Sequence, residues 1–468
     1  GLPGLVVDEQ RDDDHDRVDS RNGLRIVTGG AQLPGRDQHR QFLLEMGLAR
    51  EGLGSGVDLV HNGLLNVDAD DFMAHVSELD CQGQPDLAEC YDGDLHEHFL
   101  PTVNVARCRR RFYPRDNLCR MSPVLAIGPS NYAGQATAWA RAVASNLPAQ
   151  AWSFSGVPLR GGGFHFEVDK LLGRIGFRAP VAWGWRAGRL FDGVTHVALD
   201  GFMSFARWDR AAHFQSDARR LAEMGYWMAL IAHGSDVRDP LAHMARDQWS
   251  YFTVGDEKWR SSLIRRTELN RSFAASCGWP VFHSTPDMGF DLPFSTWLPV
   301  VVDVEAWASD APLLEREKPL VVHVPSQRKP PIKGTQFIDP VLRRLHDEGA
   351  IEYVAPSGLP HAQLRELVRS CDVVVDQVMF GSYGVAAVEA MAAGRVCVGR
   401  MNEAVRDRLP ESPHLLEATP DDLYEVVASI RDRRDELRTR AAENRAFAEK
   451  WHDGRVSAER LAPFLGVG

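Results

Sequence analysis

The sequence predicts an α/β protein: two Rossmann-like domains facing a cleft, preceded by an N-terminal segment outside that fold. Three observations carry the expectation. From Met121 onward, apolar runs of strand length alternate with stretches of helical periodicity, the pattern of βα units in a parallel sheet. Glycine and polar residues recur directly after the apolar runs, at strand carboxyl ends, where doubly wound sheets bind ligands. Between Val281 and Val304 the alternation is interrupted by Pro286, Pro293 and Pro299, the mark of a hinge between two such halves.

Length and charge set outer bounds. With 468 residues, 44% of them hydrophobic, the chain is long enough for about three domains at the usual ~150 residues each. A net charge of −11 argues against a general nucleic-acid binder. No apolar run approaches the ~18 residues of a membrane span, and the opening residues are acidic where an export signal would be basic. The expected setting is therefore cytoplasmic, without a transmembrane segment and with peripheral membrane contact left open. The seven cysteines form no CxxC pair, which fits a reducing compartment and indicates neither zinc nor a disulfide framework.

The acidity is unevenly placed. Residues 1–120 hold 13 Arg and no Lys against 22 Asp plus Glu, a net −9, with four of the seven cysteines and none of the twelve tryptophans. Their short mixed runs lack sustained periodicity. Two readings stand side by side: translation from DNA upstream of a start at Met121, or an acidic, partly disordered extension. His96-Glu97-His98 and the acidic run Asp12 to Asp16 read as solvated charge, since adjacent residues on one strand converge poorly on a metal.

Residues 121–304 form the first expected domain. Val124 to Ile127 is a strand, Gly128 to Gly134 a loop of turn formers, and Gln135 to Ser145 a helix with Trp139 and Val143 on its apolar side. The loop GPSNYAG lacks the GxGxxG fingerprint of dinucleotide binders; Asn131 and Gly134 either approach a sugar or acceptor or close an ordinary βα turn. Ala149 to Phe154, Thr195 to Leu199 and Tyr226 to Ala232 continue the strands, with a helix over Trp208 to Glu223. The last strand runs into His233-Gly234-Ser235-Asp236, a polar tip that makes His233 the leading functional candidate of this half. Asp236 either belongs to that tip or caps the helix starting near Asp239-Pro240.

Residues 305–440 form the second expected domain. Leu320 to Val324 leads into PSQRKPPIK, where Arg328, Lys329 and Lys333 gather positive charge ahead of the helix Gly334 to Glu348, a place for a diphosphate. Ile351 to Val354 and a helix over Pro360 to Ser370 follow. Cys371 to Gly399 then reads as strand, glycine loop, helix and strand. Its loop is Phe380-Gly381-Ser382-Tyr383-Gly384, and its helix, Val385 to Ala393, carries Glu389. The glycines let backbone approach a ligand, and the unpaired N–H groups at the helix start suit a phosphate. Residues 441–468 are C-terminal helices, with packing back onto the first domain as one arrangement open to them.

From Met121 onward the chain resembles the GT-B glycosyltransferases of the retaining family 4 type. The residues carrying the resemblance are His323-Val324-Pro325-Ser326 with Ile332-Lys333-Gly334-Thr335; Tyr383-Gly384-Val385 through Glu389-Ala390-Met391-Ala392 and Gly394; the His233-Gly234-Ser235-Asp236 tip; and Ser284-Thr285-Pro286-Asp287 with Trp297-Leu298-Pro299. The resemblance implies a nucleotide-diphosphate sugar as donor, held mainly by the second domain, and a carbohydrate, lipid or natural-product acceptor held by the first. It implies that Glu389 bonds the nucleotide ribose, that Arg328 and Lys333 hold the diphosphate with N–H groups near Gly384 and Val385, and that His233 sits near the donor sugar. The pattern departs at one point: Gly381 stands where the family commonly has a first glutamate, leaving Asp376, Gln377 or a backbone amide to fill that place.

The chemistry expected of such a site needs no cofactor. Breaking a sugar–phosphate bond leaves negative charge on the departing diphosphate, which preorganised cations and helix N–H groups stabilise. No Asp-x-Asp pair flanks the donor site, and Asp421-Asp422 lies outside it, so no metal is expected. Retention of configuration follows from the resemblance. Two other classes fit the same outline: a sugar- or nucleotide-binding two-domain protein without catalysis, and a GT-B relative that phosphorylyses or epimerises.

Overall fold

The computed structural model describes residues 122–156, 166–172, 183–204, 214–325, 330–356 and 358–467. Both readings of residues 1–120 lie outside these residues, as do Arg328 and Lys329. Two parallel sheets organise the rest. The first contains β1 (Val124–Gly128), β2 (Gln150–Gly156), β3 (Lys170–Leu172), β4 (His196–Asp200), β5 (Trp227–Ala232), β6 (Val281–His283) and β7 (Thr296–Trp297), in the order β3-β2-β1-β4-β5-β6-β7. The second contains β8 (Leu320–Val322), β9 (Glu352–Val354), β10 (Val373–Val375), β11 (Val396–Gly399) and β12 (Leu416–Glu417), in the order β12-β11-β10-β8-β9. Every strand pairing is parallel. Both sheets are covered on both faces, which is why β4 and β10 are buried along their whole length and β10 reads as an unbroken apolar run.

Residues 298–302 of the stretch read as a hinge are buried and held from both sides. The Gln135 amide accepts a hydrogen bond from Val301 N at 2.7 Å and donates to Val301 O at 3.1 Å, while Trp139 Nε1 donates to Pro299 O at 2.8 Å. From the far side, His452 Nδ1 donates to Val300 O at 2.7 Å and its own carbonyl accepts from Val302 N at 2.9 Å. These bonds satisfy backbone groups that burial would otherwise leave orphaned.

Two elements cross between the sheets. The helix Arg434–Trp451 is continuous through residue 440 and places Leu437, Ala441, Phe447 and Ala448 in the cores of the second sheet. The helix Arg455–Leu465 then puts Leu461 and Leu465 against Leu125, Ile127 and Trp139 of the first. Gly454 joins them with φ 100°, and a Cβ there would lie 2.8 Å from Ala142 Cβ, so the close crossing calls for glycine. In the other direction, Tyr251, Phe252 and Leu263 belong to the core of the second sheet although their stretch was expected wholly in the first domain. Asp239, not Asp236, caps the helix Pro240–Arg246, accepting from Leu241 N and Ala242 N.

Several histidines are sealed into these cores. Burial holds the rings of His196, His243, His283, His323 and His452 down to about 4, below the ordinary 6.5. An unfolded chain protonates these rings near 6.5, so between pH 6.5 and 4 the unfolded state binds more protons and stability rises with pH. The stabilisation is complete above about pH 6.5 and is lost as pH falls toward 4. The thermal unfolding midpoint is expected several degrees lower at pH 5 than at pH 7.5, by calorimetry; a flat profile across that range contradicts the assignment.

Candidate active site

Strands β8 and β10 are hydrogen-bonded neighbours, so the loops that follow them emerge together. In the first loop, Lys333 Nζ lies 3.0 Å from Asp376 Oδ1 of the second; the lysine is 24% exposed and the aspartate 4%. Lys333 O accepts from Val378 N at 3.0 Å, which ties the two loops through backbone as well. Behind them His323 Nδ1 donates to Val375 O at 2.8 Å and its Nε2 accepts from Thr335 Oγ1 at 2.9 Å, fastening the helix Thr335–Asp347 to the sheet.

The glycine loop is built around Gln377. Its Oε1 accepts from Phe380 N at 2.7 Å, and its Nε2 donates to Arg400 O at 2.6 Å and to Ser382 O. Both ends of the Gln377 amide are thus engaged in shaping the loop. Gly384 precedes the helix Val385–Ala392, whose first N–H groups no side chain caps. Glu389 lies in its second turn, 13% exposed, with Oε1 3.3 Å from His361 Nε2. Burial pushes its carboxyl above the usual range, opposed by His361 and Lys333 and reinforced by Asp376. The His361 ring packs against Trp307 and against Phe166, at centroid distances of 5.8 and 5.0 Å. Phe166 in turn fills the place beside Gly134, where φ is 74° and a Cβ would lie 2.9 Å from its ring. A line of contact thus runs from Gly134 in the first domain to Glu389 in the second.

The tip of the first sheet is organised by Asp200, the last residue of β4 and fully buried. Its carboxylate accepts from Ser130 N at 2.6 Å and Asn131 N at 2.8 Å, and its Oδ2 lies 3.1 Å from His233 Nε2. A carboxylate only accepts, so that bond places a proton on His233 Nε2. Asp236 closes the His233 turn, accepting from His233 N at 2.9 Å and Gly234 N at 2.6 Å. Asn131 is 6% exposed and its Oδ1 accepts from Thr137 N at 3.2 Å, so its side chain builds the loop.

Gly381 has φ 71°, and a Cβ there would lie 2.5 Å from Asp247 Oδ2. A side chain at this position would have to displace the Asp247 carboxylate and adopt a left-handed backbone, which fits the absence of a glutamate. Asp247, contributed by the loop after the helix Pro240–Arg246, pairs through both oxygens with Arg400, one bond measuring 2.8 Å. Among the described residues, no group of three or more His, Cys, Asp or Glu is arranged to hold a metal ion, and no helix is long and apolar enough to cross a membrane.

Sequence reasoning missed Asp200, Asp247, His361 and Arg400. Asp200 was within reach, because it ends a strand as His233 follows one. Asp247 and Arg400 are 153 positions apart and carry no local signal.

No protein-family model matches the sequence, and no curated protein does. Solved structures do resemble it. HepE of Anabaena, in complex with UDP, is 12% identical, with 74% of this chain and 99% of that one covered at a TM-score of 0.47. Sucrose-phosphate synthase of Thermosynechococcus elongatus is 12% identical, with 73% and 98% covered at a TM-score of 0.49. WaaG, a glycosyltransferase involved in lipopolysaccharide biosynthesis, is 12% identical, with 74% and 100% covered at a TM-score of 0.44.

Gly381→Ala is expected to destabilise the protein by roughly 1–3 kcal/mol, from a left-handed backbone and a carboxylate in the way of the new methyl. Urea unfolding measures it, and a variant as stable as the parent contradicts the geometry.

Proposed function

We propose that this chain is a glycosyltransferase, moving a sugar from a nucleotide-diphosphate sugar to an acceptor hydroxyl with retention and without a metal. The observation that carries the reading is the convergence of Lys333, the uncapped helix start at Gly384-Val385 and the half-buried Glu389 at the carboxyl end of one parallel sheet. A helix N-terminus and an ammonium together suit a diphosphate, and a carboxylate one turn further in suits a pair of ribose hydroxyls.

In this reading Lys333 and the N–H groups of the helix Val385–Ala392 take up the charge that grows on the leaving diphosphate. Asp376 holds the ammonium at the strand tip until the diphosphate arrives. Glu389, oriented by His361, accepts from the ribose. His233, fixed by Asp200, offers Nδ1 as an acceptor to a hydroxyl of the donor sugar. The acceptor, a carbohydrate, lipid or natural product, binds against the first sheet's tip, and its proton passes to the leaving phosphate on the same face of the sugar. Arg328, outside the described residues, adds a second cation to the diphosphate in the same proposal. The setting proposed for the reaction is cytoplasmic.

A panel of UDP, GDP and ADP tests the donor site by thermal shift, since a ligand at 100 times its dissociation constant stabilises by ~2.7 kcal/mol. Lys333→Ala is expected to weaken the nucleoside diphosphate that binds, and inorganic pyrophosphate with it, by roughly 10–100-fold, the worth of a charge-assisted hydrogen bond. Glu389→Gln is expected to weaken the nucleoside diphosphate alone. Unchanged binding in both variants sinks the assignment. Turnover of a nucleotide-sugar panel should survive EDTA, and a product assay separates transfer from epimerisation, phosphorolysis and binding without turnover.

A further inference from the structure

We infer that Asp247 and Arg400 form an inter-domain clamp that positions the glycine loop for the donor, an inference that rests on the function proposed above. Arg400 works in two directions. Its backbone exchanges hydrogen bonds with Gln377, donating from N to Gln377 O at 3.0 Å and accepting from Gln377 Nε2 at 2.6 Å. Its guanidinium reaches the carboxylate of Asp247, which comes from the stretch following β5 of the first sheet. Gln377 in turn shapes the loop that leads to Gly384 and the start of the donor helix. One residue therefore holds the loop from beneath and ties it to the other domain.

Three further features make this a built contact. The pair is buried, with side chains 11% and 3% exposed, so its two charges meet with little solvent between them. A further bond to the Asp247 carboxylate, from Trp249 N to Oδ1 at 2.9 Å, fixes it from its own loop. The same face of the glycine loop receives Tyr251 N, donating to Met379 O at 3.2 Å, and His243 Nε2, donating to Phe380 O at 3.3 Å. Gly381 is the residue that lets the two surfaces meet, because a side chain there would occupy the Asp247 carboxylate. Asp247 is thus a positioning residue, acting on the donor through the loop.

The test measures UDP affinity by calorimetry, well below the unfolding midpoint, together with hydrogen exchange of the amides of residues 378–384. Asp247→Asn and Arg400→Gln are each expected to weaken UDP at least tenfold and to speed exchange in that segment selectively. The double variant is expected to lose no more than the weaker single one, since both remove one interaction. Arg400→Lys, which keeps the charge and loses the planar fork, should fall between them and the parent, and it serves where the others fail to fold. Single variants that bind UDP within twofold of the parent, losses that multiply in the double variant, or exchange that rises evenly over the chain overturn the clamp. A folded parent that binds no nucleoside diphosphate overturns the donor reading instead, and the exchange pattern then decides the clamp alone.

Discussion

The ion pair between Lys333 and Asp376 exists because β8 and β10 lie side by side in a parallel sheet. In such a sheet all carboxyl ends fall on one edge, so residues 43 positions apart are delivered to the same place by strand pairing alone. The rest of the candidate site is arranged around that edge. The glycine loop follows β10, the helix bearing Glu389 follows the loop, and β11 returns beside β10 to set the position of Arg400. The β8–β10 register thus brings Lys333 and Asp376 to one place.

The first sheet uses the same constraint with different chemistry. Here the edge carries a carboxylate, a histidine and backbone amides, with Asp200 as the common partner. A buried carboxylate that accepts two N–H bonds and a ring N–H is fully satisfied, and its neighbours are held as firmly as it is. The second sheet's edge therefore sets an ammonium beside a carboxylate, while the first fixes a histidine ring.

Connections between the two halves include specific side-chain contacts. His452 illustrates this: its ring donates to Val300 O and accepts from the Tyr383 hydroxyl at 3.3 Å, so it touches the crossing segment and the glycine loop at once. Burial keeps this ring neutral, which is the state that can both donate and accept. Phe166 against His361 and the segment around Tyr251 supply further contacts from the first domain. The donor loops are thus braced by residues from outside their own sheet.

By itself the sequence determined the alternation of strands and helices, the polar strand tips at His233 and Asp376, and the glycine loop leading to Glu389. These are local properties, set by side-chain periodicity over roughly ten to fifteen residues and by the backbone freedom of glycine. It also exposed Gly381 as a position where an acid was expected, without a reason for it. Only the tertiary structure supplied the reason: a carboxylate from position 247 occupies the space, paired with a guanidinium from position 400. It alone joined Asp200 to His233 and His361 to Glu389, and it alone showed Asn131 turned inward. Such pairs depend on which loops the packing of two sheets brings together. That packing is decided by burial summed over whole domains, so no short window of the chain contains it.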